Sequence, residues 1–231
     1  MTGSPERIRV LIADDQPLVR RGLALIMAPD PGFDVVAEAD NGQRAVELAH
    51  QYRPDVVVMD IRMPVLDGVQ ATERLTRELP ASRVLALSTF DMDEYVVAAL
   101  RAGASGFLPK DVSPEELLAA VRTVHTGEAA VAPRLLTRLI STYVTAPRLP
   151  QPPSPAPGLG ELTPREVEVW HLLATGLDNA EIASAMGISV STVKNYITSV
   201  FGKLSVRDRA QAVIAAYESG LVAARSANPT G

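Results

Sequence analysis

Cysteine is absent from this chain of 231 residues, and histidine occurs only three times. Without cysteine the protein has no disulfide framework, thiolate metal site, redox pair or cysteine nucleophile. The histidines (His50, His125 and His171) are scattered along the chain, which argues against a histidine-built zinc site. Long apolar runs are missing too: none approaches the roughly 18 residues of a membrane-spanning helix, and the start MTGSPERIRV lacks the apolar segment of a signal peptide. We therefore expect a cytoplasmic protein without a membrane partner.

Positive charge is also scarce, and the charge is unevenly distributed. Residues 1–125 contain 19 acidic and 13 basic residues, a net charge of −6, whereas residues 161–231 contain seven acidic and six basic residues. Neither region is the strongly basic domain first expected of a nucleic-acid-binding protein. Within 189–209, however, basic residues outnumber acidic ones, which indicates a local basic stripe; its members are Lys194, Lys203, Arg207 and Arg209, beside the single acid Asp208.

Proline is concentrated between these two regions. The segment PRLPQPPSPAP at 147–157 has six prolines in eleven residues. Because proline blocks helices and sheet ladders and favours extended backbone, this segment predicts a semi-rigid linker. The helical spacing of 134–144 predicts a linker helix just before it. We therefore predict two domains, 1–125 and 161–231, joined by a linker over 126–160.

Short aliphatic runs alternate with amphipathic segments in the first domain. The predicted strands are 8–13, 33–39, 55–60, 83–88 and 105–109, and the predicted helices are 17–28, 42–52, 67–78, 93–102 and 114–125. Strongly apolar strands alternating with helices indicate a parallel sheet covered on both faces. The predicted fold class is α/β, with a doubly wound five-stranded parallel sheet.

The second domain has helical periodicity and no strand-like run. Capping boxes that begin at Thr163 and Asp178 mark two helix starts, and two further helices are predicted from Ser189 to about Lys203 and over about 207–219. The expected domain is therefore small, all-α and built from four helices.

A small residue, a glycine turn and an apolar packing residue follow one another at Ala183, Gly187 and Val193. This spacing is typical of a helix-turn-helix, although the spacing alone does not distinguish it from an ordinary helical hairpin. The last helix has an apolar stripe that either pairs with a second copy of the chain or packs within its own domain; its members are Ala210, Val213, Ile214 and Tyr217.

Polar residues follow four of the five predicted strands, at the sheet edge where ligands of parallel α/β sheets bind. They are Asp14 and Asp15, then Asp60, then Ser88 with Thr89, and finally Lys110. Each of them alone is better explained as a helix cap, a turn residue, an ordinary strand-end residue or a surface charge. Together they are hard to explain by capping. Clustered carboxylates need a cation, hard oxygen ligands suit Mg²⁺, and a lysine balances an added phosphoryl group.

These residues resemble the motifs of the receiver domain of two-component response regulators, a flavodoxin-like fold. The matching segments are Asp14-Asp15, 59–64 followed by Asp67-Gly68, Ser88-Thr89 and 106–110. The resemblance departs from the usual pattern at Thr89, which is bulkier than is common, and at Pro109, which precedes the lysine instead of following it. Neither departure removes a required group.

The receiver resemblance implies a role for each residue of the cluster. Asp60 accepts a phosphoryl group from a sensor histidine kinase, Ser88 and Lys110 bind that group, and Phe107 is a rotating switch side chain that acts with Ser88. Mg²⁺ is the implied cofactor, and its implied ligands are Asp14, Asp15, Asp60 and the backbone carbonyl of Arg62.

Residues 162–216 resemble the LuxR-type DNA-binding domain almost end to end, with Asp178 and Tyr196 where the family often has Ser and His. The resemblance implies that Thr192 and Lys194 touch phosphates or bases, that Asn195 and Thr198 reach the major groove, and that Lys203 lies on the DNA backbone. Trp170 is expected in the core because it shares an apolar helix face with its neighbours.

Together the two resemblances imply a transcriptional response regulator of the NarL/FixJ group that is not an enzyme. Its implied partners are a sensor histidine kinase, double-stranded DNA and a second copy of the chain. A dehalogenase-like phosphatase would need a second carboxylate where Arg62 stands, and a dinucleotide-dependent oxidoreductase would need a glycine-rich turn after the first strand. A protein-binding module without phosphorylation is disfavoured by the complete acidic cluster.

Overall fold

The computed structural model describes residues 7–88, 93–128, 130 and 158–222. It divides the chain into two compact units, Met1–Ala130 and Val131–Gly231. The helix expected at 134–144 and the proline-rich segment lie outside the described residues. Nowhere in the described part of the chain does a helix combine the length and the apolar composition that a bilayer crossing requires.

The first unit contains a five-stranded parallel sheet in the order β2-β1-β3-β4-β5. The strands are β1 (Ile8–Ala13), β2 (Phe33–Ala39), β3 (Val56–Asp60), β4 (Arg83–Ser88) and β5 (Gly106–Pro109). The helices are α1 (Pro17–Met27), α2 (Gly42–Tyr52), α3 (Gly68–Glu78), α4 (Asp93–Arg101) and α5 (Pro114–Thr126). The predicted α/β class is confirmed, and each boundary lies within one residue of its predicted position.

Apolar side chains fill both faces of this sheet because successive residues of a strand point to opposite sides. On β3, Val57 and Met59 join a core with α2 and α3, whereas Val56 and Val58 join a second core with α5. All five residues of β3 are buried, which explains why the strand is a continuous apolar run with no alternation.

The strand order reverses direction between β1 and β3, and this places a crevice at their carboxyl ends. The start of α3 closes tightly on this edge: Asp67 caps the helix by accepting the backbone N–H of Gln70 at 2.8 Å. At Gly68 a Cβ atom would lie 2.0 Å from the carbonyl oxygen of Asp60, so only glycine fits. The Asp-Gly pair thus fixes the turn that follows the end of β3.

The second unit has, among its described residues, a short 3-10 turn at Leu159–Glu161 and four α-helices, as predicted. The helices are α6 (Pro164–Ala174), α7 (Asn179–Met186), α8 (Val190–Leu204) and α9 (Arg209–Glu218). Both capping boxes form, at Thr163 and at Asp178. Trp170 is fully buried and its indole N–H donates to the carbonyl of Ala212 at 2.8 Å, which confirms its core position and ties α6 to α9.

The helix-turn-helix arrangement is formed by α7 and α8. Gly187 ends α7 with a left-handed φ of 65°, and Ala183 and Val193 are buried on either side of the turn. Most of the apolar stripe on the last helix packs within its own domain, and Tyr217 is half-buried. Ala210, Val213 and Ile214 are buried within their own domain, because α9 covers α6 there.

Candidate functional site

Three carboxylates and one lysine meet at the carboxyl ends of β1, β3 and β5; we call Asp14, Asp15, Asp60 and Lys110 the acidic pocket. The Nζ atom of Lys110 lies 2.6 Å from Oδ2 of Asp14 and 2.9 Å from Oδ2 of Asp60. Asp14 and Asp60 are buried, whereas Asp15 is exposed. The ammonium therefore bridges two carboxylates whose charges would otherwise repel each other in a poorly solvated site.

The acidic pocket also has the donor set of a divalent cation site. One carboxylate oxygen from each of Asp14, Asp15 and Asp60 lies within 4.8 Å of the others. Carboxylate oxygens are the ligands that Mg²⁺ prefers, so the residues fit that ion. Neither Asp14 nor Asp15 is the N-cap residue of α1, which is Gln16, although Oδ1 of Asp14 accepts the backbone N–H of Gln16 at 2.9 Å.

The protonation of the acidic pocket is set by burial and by Lys110. Burial raises the pKa of Asp60, and the hydrogen bond and charge of Lys110 oppose that rise. For Lys110, burial acts to lower the pKa, but the hydrogen bonds from Lys110 to Asp14 and Asp60 outweigh it and the pKa is raised. Lys110 therefore stays cationic. A cation beside Asp60 favours the ionised carboxylate, which is the form of the side chain that can act as a nucleophile.

Ser88 lies at the end of β4 beside the acidic pocket and is 9% exposed. Its carbonyl accepts the backbone N–H of Lys110 at 2.8 Å, which holds the ends of β4 and β5 together. Phe107 lies on β5 and is half-buried. The backbone N–H of Arg62 points to Oδ1 of Asp60 at 3.4 Å. Thr89 lies outside the described residues.

An open cavity of about 470 Å³ lies on the Asp15 side of the acidic pocket. Its lining includes Asp15, Arg62, Pro64, Asp67 and Tyr95. Tyr95 was missed by the sequence analysis, because its position on α4 reveals nothing about which strand end it faces. Of the acidic pocket, Asp15 alone is among the residues that line this cavity.

The second candidate site is the solvent-exposed side of α8, which we call the reading face: Val190, Ser191, Lys194, Asn195 and Thr198. Residues at these spacings share one side of a helix. The side chains of Lys194 and Asn195 make no hydrogen bond or ion pair with any other described residue. Their charged and amide groups are therefore available to a ligand.

The hydroxyl groups near the start of α8 are used by the helix itself. Oγ of Ser189 caps the helix and lies 2.7 Å from Oγ1 of Thr192 and 2.8 Å from Oγ of Ser191. Oγ1 of Thr198 donates to the carbonyl of Lys194 at 3.0 Å. Thr192 is only half-buried, but its hydroxyl belongs to this cap network.

Lys203 is engaged inside the domain. Its Nζ donates to both carboxylate oxygens of Glu166, at 2.9 and 2.7 Å, and Ser199 donates to the same carboxylate at 2.6 Å. These bonds, with those from Thr163, lower the pKa of Glu166 to about 2. Glu166 is also the acidic residue of the capping box that begins at Thr163. The structure adds that Glu166 ties the start of α6 to the second half of α8.

Two family profiles match the chain, one in each unit. The profile of the response regulator receiver domain matches residues 10–122. The profile of the bacterial regulatory proteins of the luxR family matches residues 160–216. The two profiles thus cover the acidic pocket and the reading face respectively.

Similar proteins share both units. The transcriptional regulatory protein LnrK of Bacillus subtilis is 41% identical over 219 residues, covering 93% of this chain and 98% of LnrK. The transcriptional regulatory protein DegU of Brevibacillus brevis is 39% identical over 228 residues, covering 95% of this chain and 97% of DegU. The solved structure of ChrA, the response regulator of a haem-sensing two-component system, is 34% identical with a TM-score of 0.50, and the match covers 94% of this chain and 99% of ChrA.

Proposed function

The chain belongs to the two-component response regulators that join a receiver domain to a LuxR-type DNA-binding domain, and we propose that phosphorylation of Asp60 switches its DNA binding. As a transcriptional response regulator it couples a signal received by one domain to a promoter bound by the other. The observation that carries the proposal is the contact of Lys110 with both Asp14 and Asp60. This contact supports the proposal because it holds an ammonium group against a buried carboxylate at the sheet edge where we propose that phosphate binds.

The proposed reaction is phosphoryl transfer from a phosphohistidine of a sensor histidine kinase to Asp60. A carboxylate oxygen of Asp60 attacks phosphorus, the new O–P bond forms as the N–P bond breaks, and the imidazole nitrogen keeps the electron pair. Lys110 pairs with the incoming phosphoryl oxygens, and the hydroxyl of Ser88 donates to another of them. Mg²⁺, held by Asp14, Asp15, Asp60 and the carbonyl of Arg62, would supply charge neutralisation during the transfer.

The proposed switch follows from the groups that the phosphoryl group engages. Lys110 and Ser88 are joined through the backbone of β4 and β5, so drawing both toward phosphorus reshapes the ends of those strands. Phe107, on β5, turns inward as Ser88 moves. The altered surface promotes a homodimer, and two DNA-binding domains on one operator bind more tightly than one.

The proposed DNA contacts lie mainly on the reading face of α8. Lys194 meets phosphates or bases, and the amide of Asn195 suits the paired donor and acceptor of adenine in the major groove. Thr192 and Thr198 lie beside them. Lys203 would touch the DNA backbone only at the edge of the interface, since Glu166 holds its ammonium and its side chain is 30% exposed.

The proposal includes the organisation of the chain and its setting. The receiver domain extends over 1–125, the linker over 126–160 and the DNA-binding domain over 161–231. The protein acts in the cytoplasm as a regulator and has no catalytic turnover of its own. Its partners are the sensor kinase, operator DNA and a second copy of the chain.

The test is labelling with acetyl phosphate and Mg²⁺, read by intact mass, followed by DNA binding. We expect wild-type protein to gain one phosphoryl group, because Asp60 keeps a small exposed fraction of 5%, whereas Asp14, which also contacts Lys110, is fully buried. Asp60→Asn should gain none and should bind operator no better after treatment. Asp111→Asn removes an exposed carboxylate next to Lys110 and serves as the matched control. Equal labelling of Asp60→Asn and wild-type protein would refute the assignment.

A further inference from the structure

Val190 is an apolar side chain in an unusual place. It is the first residue of α8, directly after the cap Ser189, and its side chain is 42% exposed. Among the large apolar side chains described in residues 158–222 it is the only exposed one. The helix buries Val193, Val200 and Leu204 on the neighbouring side, and Val190 lies at the edge of that side, where it remains exposed.

Val190 shares the reading face with the free polar groups. It precedes Lys194 by four residues and Thr198 by eight, so the three side chains lie along one ridge of the helix. In helix-turn-helix proteins the first residues of the recognition helix are those that contact base edges. Val190 is therefore at the end of α8 that enters deepest into the groove.

The polar groups around Val190 are already used. The hydroxyls of Ser189, Ser191 and Thr192 bond to one another within the helix cap. The leading end of the reading face therefore presents a branched aliphatic side chain and few free donors. The major-groove edges of the base pairs carry one apolar group, the C5-methyl of thymine, and aliphatic side chains recognise it.

We propose that Val190 is a specificity-determining residue that packs on a thymine methyl group in each half-site of the operator. The inference rests on the proposed function, because it requires that the reading face of α8 lies in the major groove. It adds a base preference that none of the charged or amide side chains supplies. Burying one methyl group in this contact is worth about a fourfold change in affinity.

The experiment uses full-length protein treated with acetyl phosphate. A binding site is selected from random duplex DNA with the wild-type protein, and each thymine of the site is then replaced singly by uracil. Uracil pairs like thymine and lacks only the methyl group. We expect one uracil substitution in each half-site to weaken wild-type binding about fourfold. In Val190→Ala the same substitution should change the dissociation constant by less than about twofold.

Two variants control for the size of the side chain and for general effects. Val190→Ile keeps a branched aliphatic side chain and should keep the uracil dependence. Leu18→Ala truncates an exposed aliphatic side chain in the first domain and should leave both the affinity and the uracil dependence as in wild type. Unchanged helical circular dichroism and thermal midpoint in Val190→Ala would show that the domain is intact.

Each failure has its own meaning. If uracil weakens wild-type protein and Val190→Ala equally, or at no position, the inference is overturned while DNA binding by the domain stands. If the treated wild-type protein selects no DNA at all, the proposed function is overturned, and this inference falls with it.

Discussion

The acidic pocket and the reading face are built on opposite principles. The acidic pocket gathers residues from Asp14 to Lys110, which lie on different strands and meet only when the sheet forms. The reading face lies on a single helix, from Val190 to Thr198. In the acidic pocket Lys110 pairs with internal carboxylates, whereas on the reading face the side chain of Lys194 has no partner among the described residues. A site for internal chemistry is preorganised and buried, and a site for a macromolecule is convex and has unsatisfied groups.

The largest effect is expected from a variant that unfolds the second unit and leaves the first unit folded. Trp170→Ala removes the largest buried side chain of the second unit and leaves the carbonyl of Ala212 without its indole donor. A core truncation of this kind costs about 3–5 kcal/mol, which a domain of this size hardly tolerates. We expect DNA binding to be lost and phosphorylation of Asp60 to remain.

Two measurements on Trp170→Ala test this expectation. Intact mass after acetyl phosphate treatment measures phosphorylation, and fluorescence anisotropy with operator DNA measures DNA binding. Trp170→Phe keeps a large aromatic ring and should retain most DNA binding. Loss of labelling in Trp170→Ala would mean that the first domain depends on the second for its stability.

A smaller effect is expected from the lysine of the acidic pocket. Lys110→Met leaves the buried carboxylates of Asp14 and Asp60 without their cation, at a cost of about 3 kcal/mol when no Mg²⁺ is added. Because the lysine no longer competes for the same oxygens, added Mg²⁺ should stabilise the variant more than it stabilises wild type. Part of the loss of stability in the variant should therefore be restored. Urea unfolding of the first domain with and without Mg²⁺ measures both effects. An identical Mg²⁺ response in the two proteins would show that lysine and metal do not share ligands.

The smallest effect concerns pH and the contact between Glu166 and Lys203. The pKa of Glu166 is about 2 in the folded domain and about 4.3 in an unfolded chain. A lowered folded pKa stabilises the domain above the unfolded value, and this stabilisation is lost as the pH falls from about 4.3 to about 2. Glu166→Gln should therefore be less stable than wild type near neutral pH, and this difference should shrink across that range.

Urea unfolding at a series of pH values measures the difference between wild type and Glu166→Gln. The matched control is Glu168→Gln. Glu168 lies two residues after Glu166 on the same helix, and its exposed carboxylate pairs with Arg165. A difference that stays constant from pH 7 to about pH 2 would rule out the ion pair as its source.

Much of the fold follows directly from local sequence patterns. The strand run of β3 is continuous because both of its faces are buried, and the box at Ser113 and Glu116 with Pro114 defines the start of α5. The stripe on α9 shows the limit of such patterns. Its apolar spacing is compatible both with a dimer contact and with internal packing, and only the position of α6 against it shows which of its residues pack internally.

The partners of side chains were the least predictable feature. Lys194 and Lys203 lie on the same helix and both suggested DNA contacts, yet Lys203 bonds to Glu166, 37 positions away in the chain. Tyr95 likewise lines the cavity beside Asp15, although nothing near it in sequence points there. Charge and helical spacing indicate which residues can reach outward, and they do not show which of them find an internal partner.

The sequence by itself determined the elements, their caps and the set of residues at the strand ends, because these depend on periodicity and on interactions within a few residues. The tertiary structure alone decided that Lys110 bridges Asp14 and Asp60, that Glu166 holds Lys203, and that Val190 stays exposed. Ion pairs and burial depend on which helices and strands pack together over long separations in the chain. The packing of helices and strands depends on the sum of the apolar contacts in the core. Each of these contacts is weak and they are numerous, so no single motif reveals which elements pack together.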